Sequence, residues 1–361
     1  MATSSIESPA TLLLDWYDRH GRELPWRAKA GEKPQPYHVW ISEIMLQQTT
    51  TATVAPYYRE FLDRWPHIED LAAAHLDAVL HAWQGLGYYA RARNLHKCAR
   101  VLCDSHGGRL PDDEAGLRAL PGIGAYSAAA IAAIAFERPS TVVDGNVERV
   151  MARLHAVKDP LPGAKAQIRA LAQDHTPKAR PGDYAQGLMD LGATVCKPRN
   201  PSCGICPWSG FCAAYSQGLT TELPRRSPKA QRPTRRAMAF WLTRPDGAVL
   251  LRRRPESGLL GGMIELPSTP WRARRWSLKS ACQHAPLVAD WRKLGGVVHH
   301  GFTHFALETT LLTAEVEQRN GDLWRHPDSF GELALPTLTK KLVRHALLEL
   351  TQVKDRSLPE A

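Results

Sequence analysis

Four cysteines, Cys196, Cys203, Cys206 and Cys212, stand in the spacing C-x6-C-x2-C-x5-C and constrain this chain more than any other feature. Four thiolates in one seventeen-residue stretch can close on a single metal centre. The gaps of six and five residues differ from the paired C-x2-C spacing usual at zinc sites, and an iron-sulfur cluster suits them better. Lys197, Pro198, Arg199, Pro201 and Pro207 make the stretch basic and proline-rich. That composition reads as a solvated loop pinned by its metal rather than a redox centre buried for electron flow. Cys98, Cys103 and Cys282 lie far apart in the rest of the chain, and spare thiols beside a thiolate site argue for a reducing, cytoplasmic setting.

The length of 361 residues suggests two domains, each able to bury a core. A formal net charge of +10 is the electrostatic footprint of a protein that meets a polyanion. Residues 1–9 lack the apolar core of a signal peptide, and the longest apolar run, Ala128 to Phe136, is too short to span a bilayer and reads as a buried helix. No membrane partner is expected. Residues 1–220 carry apolar residues at helical spacing broken by Gly and Pro, the pattern of an all-helical domain of many short helices. Residues 221–236 hold Pro224, Pro228 and Pro233 with six Lys or Arg and one acid, an extended basic linker. In 237–361, Ala237–Leu242 and Ala248–Leu251 flank the turn residues Pro245-Asp246-Gly247. Val297–His300 and Leu307–Val316 read as further strands and Leu338–Leu350 as a closing helix, so this domain is α+β.

Within the helical part, Leu120-Pro121-Gly122-Ile123-Gly124-Ala125-Tyr126 precedes an Ala-rich helix. Two glycines one residue apart let the backbone turn tightly and present N–H groups at a helix start, an anion site suited to one phosphate; an ordinary interhelical turn is the plainer alternative. Twenty residues after Gly124 comes Asp144, in Val142-Val143-Asp144-Gly145-Asn146-Val147, which either serves chemistry or caps the next helix. Glu43, flanked by Ile41, Ile44, Met45 and Leu46, is an odd charge in an apolar helix.

These features, with Pro36-Tyr37-His38-Val39-Trp40-Ile41-Ser42-Glu43-Ile44-Met45-Leu46-Gln47-Gln48-Thr49, resemble the helix-hairpin-helix DNA glycosylase superfamily that includes endonuclease III, and within it the MutY family of adenine glycosylases. The resemblance covers the chain from about Trp16 to Leu350 and implies a 4Fe-4S cluster on the four cysteines. It also implies a hairpin, Gly122-Ile123-Gly124, that grips the DNA backbone. Adenine is a poor leaving group, so an acid of raised pKa must protonate it, and Glu43 is the candidate. The oxocarbenium-like sugar needs a negative charge, which Asp144 would supply, with Asn146 and Tyr126 in supporting positions. Relatives that cut the strand carry a lysine where this chain has Tyr126; a phenol forms no Schiff base, so base removal without lyase activity is expected. Gln48, Tyr88 in Gly85-Leu86-Gly87-Tyr88, and Leu86 match residues that fill the gap left by a flipped base, and Trp26, Arg27 and Gln186 match the adenine pocket. Ala185 and Gly187, flanking Gln186, depart from the family's Asn-Gln-Ala and put local packing in question.

Leu250–Pro255 and Gly258–Pro267 resemble the Nudix-like C-terminal domain of the same family. A catalytic Nudix enzyme holds magnesium with clustered glutamates, but no Asp or Glu lies between Leu266 and Ala289, so recognition without hydrolysis is expected. Phe302-Thr303-His304 matches the family's Phe-Ser-His triplet, with Thr303 as the contact to 8-oxoguanine. The resemblance implies a monomer acting on double-stranded DNA with adenine opposite 8-oxoguanine or guanine, associated with the nucleoid if the source is bacterial. Two other readings compete: an endonuclease III-like glycosylase and lyase, against which Tyr126 stands, and a non-catalytic DNA-damage binder, against which the pair Glu43 and Asp144 stands.

Overall fold

The structure is a computed structural model and describes residues 8–29, 31–228, 231–317 and 323–356. The chain divides into two compact units, Met1–Ala74 with Asn94–Lys229, and His75–Arg93 with Ala230–Ala361. Among the described residues no helix is long and apolar enough to cross a membrane.

The first unit is helical. In chain order the helices are α1 (Pro9–His20), α2 (Pro36–Leu46), α3 (Thr51–Arg64), α4 (Ile68–Ala73), α5 (Leu76–Ala82, grouped with the second unit), α6 (Ala90–His106), α7 (Glu114–Arg118), α8 (Ala125–Phe136), α9 (Gly145–Leu154), α10 (Lys165–His175), α11 (Pro181–Asp190) and α12 (Ala213–Ser216). Helix starts are set chemically: the side chains of Ser8, Thr50, Asp113 and Asp144 each accept a backbone N–H of the following turn. The centre is α8, whose residues Ser127 to Ile134 are all buried. Its alanines allow close approach on every side, and α2, α7 and α11 pack around it. A second cluster joins Leu13 and Trp16 of α1, Val147 and Met151 of α9, Ile168 of α10 and Trp208 of the cysteine loop. Trp208 is 1% exposed, and its indole N–H donates to the Pro9 carbonyl at 2.7 Å.

The second unit is a seven-stranded mixed sheet of β1 (Thr234–Thr243), β2 (Val249–Arg253), β3 (Ile264–Glu265), β4 (Arg292–Lys293), β5 (Val298–Gly301), β6 (Ala306–Glu315) and β7 (Leu323–Arg325), with helices α13 (Leu278–Cys282) and α14 (Thr337–Arg356). The path runs β3-β2-β1-β6-β4, with β5 on β6 and β7 on β2; β1 and β6 are parallel, in register from Thr234↔Ala306 to Thr243↔Glu315. Alternate residues of β1 serve opposite faces. Ala237, Ala239 and Trp241 pack with Leu338, Leu342 and Ala346 of α14, whereas Met238, Phe240 and Leu242 pack with Ala281 and Trp291. Burial on both faces explains why β1 reads as a continuous apolar run instead of alternating.

Two features depart from the sequence reading. The segment His75–Arg93 belongs by its contacts to the second unit, through polar links invisible to periodicity. Arg253 forms a two-pronged pair with Asp77 (2.6 and 2.7 Å), and Arg93 donates to the Gly261 carbonyl at 2.6 Å. The linker is also less free than its composition suggests: the Leu161 N–H donates to the Arg225 carbonyl and Ser227 N–H to the Leu161 carbonyl, both at 2.9 Å, while Thr234 already begins β1. Lys229 and Ala230 of the linker lie outside the described residues.

Candidate active site

The first unit encloses a cavity of about 350 Å³ whose wall includes Trp26, Arg27, Glu43, Tyr126, Asp144, Asn146 and Gln186. Seven residues singled out from separate stretches of sequence thus meet at one place.

Glu43 is delivered by α2, which is buried from Tyr37 to Met45 apart from His38. At 4% exposure its carboxyl is effectively desolvated, and among the described residues Oε2 has no hydrogen-bond partner. Burial is the main reason its pKa rises from 4.5 to about 7; the Tyr126 hydroxyl and Arg27 pull it down, and the charge of Asp144 pushes it up. Tyr126 is itself held far above the ordinary phenol range by burial and by both carboxylates, so it stays a neutral donor, and its hydroxyl approaches Met189 Sδ at 3.5 Å.

Asp144 caps α9, as the plain reading of this residue expects. Its Oδ1 accepts the backbone N–H groups of Asn146 (2.9 Å) and Val147 (2.7 Å), and Oδ2 accepts the Asn146 amide at 3.2 Å. Burial raises its pKa against those three donors, which favour the ionised form.

Arg22, not singled out from sequence, completes the wall, and a buried acid stands behind it. Asp190, wholly buried, receives Arg27 on both oxygens (2.7 Å each) and also pairs with Arg22 at 2.7 Å. Burial alone would raise Asp190 and lower Arg27; their mutual pairing prevails and fixes both as charged. Arg27 therefore lines the cavity as a clamped cation. The Met189-Asp190-Leu191-Gly192 run offered a signal, since an acid inside an apolar helix end needs a partner. Gly187 also finds its reason: a Cβ there would lie 3.1 Å from the Tyr17 side chain, and Tyr17 in turn lies under the Arg27 guanidinium.

Below Asp144, Asn146 Oδ1 accepts from Arg149 Nη2 (2.8 Å), and Arg149 also donates to the carbonyls of Gly192 and Cys196 (2.8 Å each). Arg153, 2% exposed, donates to the carbonyls of Lys197 (2.7 Å) and Leu223 (2.9 Å) and approaches Cys196 Sγ at 3.3 Å. One face of α9 thus ties the carboxylate to the cysteine loop. Cys196, Cys203, Cys206 and Cys212 line a common small cavity, yet among the described residues no three His, Cys, Asp or Glu side chains converge closely enough to hold a single ion. Four cysteines around one shared space are a donor set that fits the corners of a cluster.

At the hairpin between α7 and α8, Gly122 has φ +78°, and a Cβ would strike Asn94 at 2.6 Å; Gly124 is the N-cap of α8, and the Ile123 side chain is buried. Gln48 (φ 57°) is exposed and Tyr88 (φ 48°) half-exposed, each in a left-handed conformation unusual for a side-chain-bearing residue. Leu86, in the same turn as Tyr88, is buried at 5% exposure. Within the second unit, the Tyr88 hydroxyl lies 2.9 Å from Thr303 Oγ1. Phe302 stacks on Trp271 (5.3 Å), leaving Thr303 and His304 exposed at the loop tip.

Residues 41–176 match the HhH-GPD superfamily of base excision DNA repair proteins, 196–212 the iron-sulfur binding domain of endonuclease III, and 238–345 the NUDIX domain. The chain is 36% identical to the adenine DNA glycosylase of Homo sapiens over 92% of its own length and 72% of that protein. The chain belongs to the adenine DNA glycosylase family. The adenine DNA glycosylase of Schizosaccharomyces pombe is 31% identical, over 77% of this chain and 73% of that one. A solved thermostable thymine-DNA glycosylase, 30% identical with a TM-score of 0.51, covers 58% of this chain and 95% of its own. As in the iron-sulfur domain it matches, this adenine DNA glycosylase family member carries a 4Fe-4S cluster, for which Cys196, Cys203, Cys206 and Cys212 are the donor set.

Proposed function

We propose that this chain, as a monomer, removes adenine mispaired with 8-oxoguanine or guanine in double-stranded DNA and leaves an abasic site. The observation that carries the reading is Glu43: a buried carboxyl of pKa about 7 with one unpartnered oxygen, in the same cavity as a second carboxyl that accepts three hydrogen bonds.

A cavity of about 350 Å³ has room for one flipped purine, with Trp26 and Gln186 on its wall. Protonated Glu43 gives its proton to the adenine ring nitrogen, so the base departs neutral and not as an anion. As the C–N bond lengthens, positive charge grows on the sugar, and Asp144 stabilises it from a fixed position that needs no solvent rearrangement. Asn146 holds the Asp144 carboxylate, and Tyr126 remains a phenol that hydrogen-bonds Glu43. Among the described residues no lysine lines the cavity, so water ends the reaction and the strand stays whole. Gly122-Ile123-Gly124 offers the hairpin backbone to a phosphate, and Gln48 and Tyr88 enter the stack. Thr303, held by the Tyr88 hydroxyl, reads 8-oxoguanine beside Phe302 and His304. Cys196, Cys203, Cys206 and Cys212 would hold the cluster in the loop that Arg149 and Arg153 join to α9.

A labelled duplex with one adenine opposite 8-oxoguanine, assayed under single turnover with and without hot alkali, tests this. Breakage only after alkali is expected. Breakage without alkali would reveal an amine nucleophile, and no breakage in either arm would leave only a damage binder.

A further inference from the structure

Arg22, Arg27 and Glu43 share the wall of one cavity, yet among the described residues neither guanidinium forms an ion pair with Glu43. Glu43 Oε2 is left without a hydrogen-bond partner there. A guanidinium fork beside a buried carboxylate ordinarily closes on it two prongs at a time. Had Arg27 done so, Glu43 would be held ionised and could give no proton to a base.

The acid behind the wall prevents this. Asp190, at 0% exposure, accepts Arg27 Nη1 on Oδ2 and Arg27 Nη2 on Oδ1, each at 2.7 Å. The same carboxylate takes the Arg22 backbone N–H on Oδ2 at 2.8 Å and Arg22 Nε on Oδ1 at 2.7 Å. Arg27 Nη1 also donates to the Arg22 carbonyl at 2.9 Å, and the Tyr17 ring lies under the guanidinium, 5.5 Å from its carbon to the centroid. The Arg27 fork is therefore occupied, its plane is backed by a ring, and the segment that carries it is tied to the last residue of α11.

Charge is arranged to the same end. Two cations share one carboxylate, so the cluster keeps a single positive charge instead of two. Glu43 is raised chiefly by burial, while Tyr126 from α8 and Arg27 pull it down and Asp144 at the start of α9 pushes it up. Tyr126 and Asp144 take no part in the Asp190 pairing, so Arg27 is the group through which Asp190 reaches Glu43. In a desolvated site an uncompensated cation on that wall would weigh heavily on the carboxyl.

We propose, on the reading of Glu43 as the acid, that Asp190 is a positioning residue for adenine release: by occupying both prongs of Arg27 it keeps that guanidinium off Glu43 and leaves Glu43 able to carry the proton that the departing base requires. Asp190 is wholly buried and acts only through Arg27.

The test uses full-length, cluster-loaded protein and three variants. Asp190→Asn keeps the shape and removes the charge, and Asp190→Glu keeps the charge. Arg22→Gln combined with Asp190→Asn releases Arg27 without changing the net charge of the cluster, and it carries the test should Asp190→Asn alone fail to fold. The Glu43 carboxyl is titrated by its infrared band, identified by its loss in Glu43→Gln, and single-turnover adenine release is followed on the same preparations. In Asp190→Asn and in the combined variant the carboxyl midpoint should fall by about one pH unit, and the loss of rate between about pH 6 and pH 8 should be about fivefold deeper than in the unmodified protein. Asp190→Glu should restore both. A rate lowered equally at every pH, with the carboxyl midpoint unmoved, would show that Asp190 only supports the wall and would overturn the proposal. A lowered midpoint without adenine release from the unmodified protein would sink the glycosylase reading and leave the hold of Asp190 over Glu43 standing.

Discussion

Replacing Glu43 by Gln should make the protein more stable and less active, by amounts that depend on pH in a predictable way. Glu43 has a folded-state pKa of about 7 against 4.5 for a free side chain. A carboxyl whose pKa is raised on folding favours the folded state fully below the unfolded value and loses that advantage as pH rises through the folded value. Relative to a residue that stays neutral, the unmodified protein therefore suffers a growing penalty. It amounts to about 1 kcal/mol at pH 5.5 and about 3 kcal/mol at pH 8, since a tenfold change in proton affinity is worth about 1.4 kcal/mol. Gln at this position is neutral throughout and keeps the side-chain volume. Urea unfolding of both proteins between pH 5.5 and 8, followed by circular dichroism, isolates the difference, because every other titrating group is common to both. The stability gain in Glu43→Gln should widen by roughly 2 kcal/mol over that range, while base release falls by about 10² or more. Parallel stability profiles would show that Glu43 is not titrating in a desolvated site, and undiminished base release would remove it from the chemistry.

The unmodified enzyme should release adenine at a rate that is flat below about pH 7 and falls close to tenfold per unit above it, since only protonated Glu43 can donate; single-turnover rates across pH 6–9 check this. Arg149→Gln loses donors to Asn146, Gly192 and Cys196, so base release should fall about tenfold and unfolding free energy by about 2–3 kcal/mol; thermal melts and cluster absorbance would register it. Gly187→Ala pushes a methyl to 3.1 Å from Tyr17 and should cost about 1–2 kcal/mol despite the better helix propensity of alanine, visible as a lower Tm. Thr303→Val removes the hydroxyl partnered by Tyr88, and preference for 8-oxoguanine over guanine opposite the adenine should drop; an unchanged ratio would remove Thr303 from recognition.

Much of this protein is readable from its residues because its informative features are local. The cysteine spacing, the Gly-x-Gly turn and the apolar setting of Glu43 each lie within one short stretch, and strands β5 and β6 begin and end within a residue of their apolar runs. What sequence concealed was pairing at a distance. Asp190 is an ordinary helix-end acid until Arg22 and Arg27, more than 160 residues away, are seen clamped to it. Likewise, nothing in the Ala- and Leu-rich segment around Leu86 marks it for the second unit, because Asp77 and Arg93 find their partners there through folding alone. The burial of Leu86 is likewise invisible in a turn flanked by two glycines.

Trp208 lies within the cysteine loop yet belongs to the hydrophobic core shared by α1, α9 and α10. A loop tied down by Arg149, Arg153 and its cluster thus supplies one of the largest fully buried side chains in the molecule. A newly made chain that has not acquired iron lacks one of the fastenings of the loop that carries this indole, and its immature form would resemble a damaged protein more than an idle one. Quality control in the cell acts on such exposed cores. Iron supply would then govern how many copies survive synthesis, and a starved cell would lose repair capacity through turnover of the polypeptide, measurable as abundance, before any surviving copy worked more slowly.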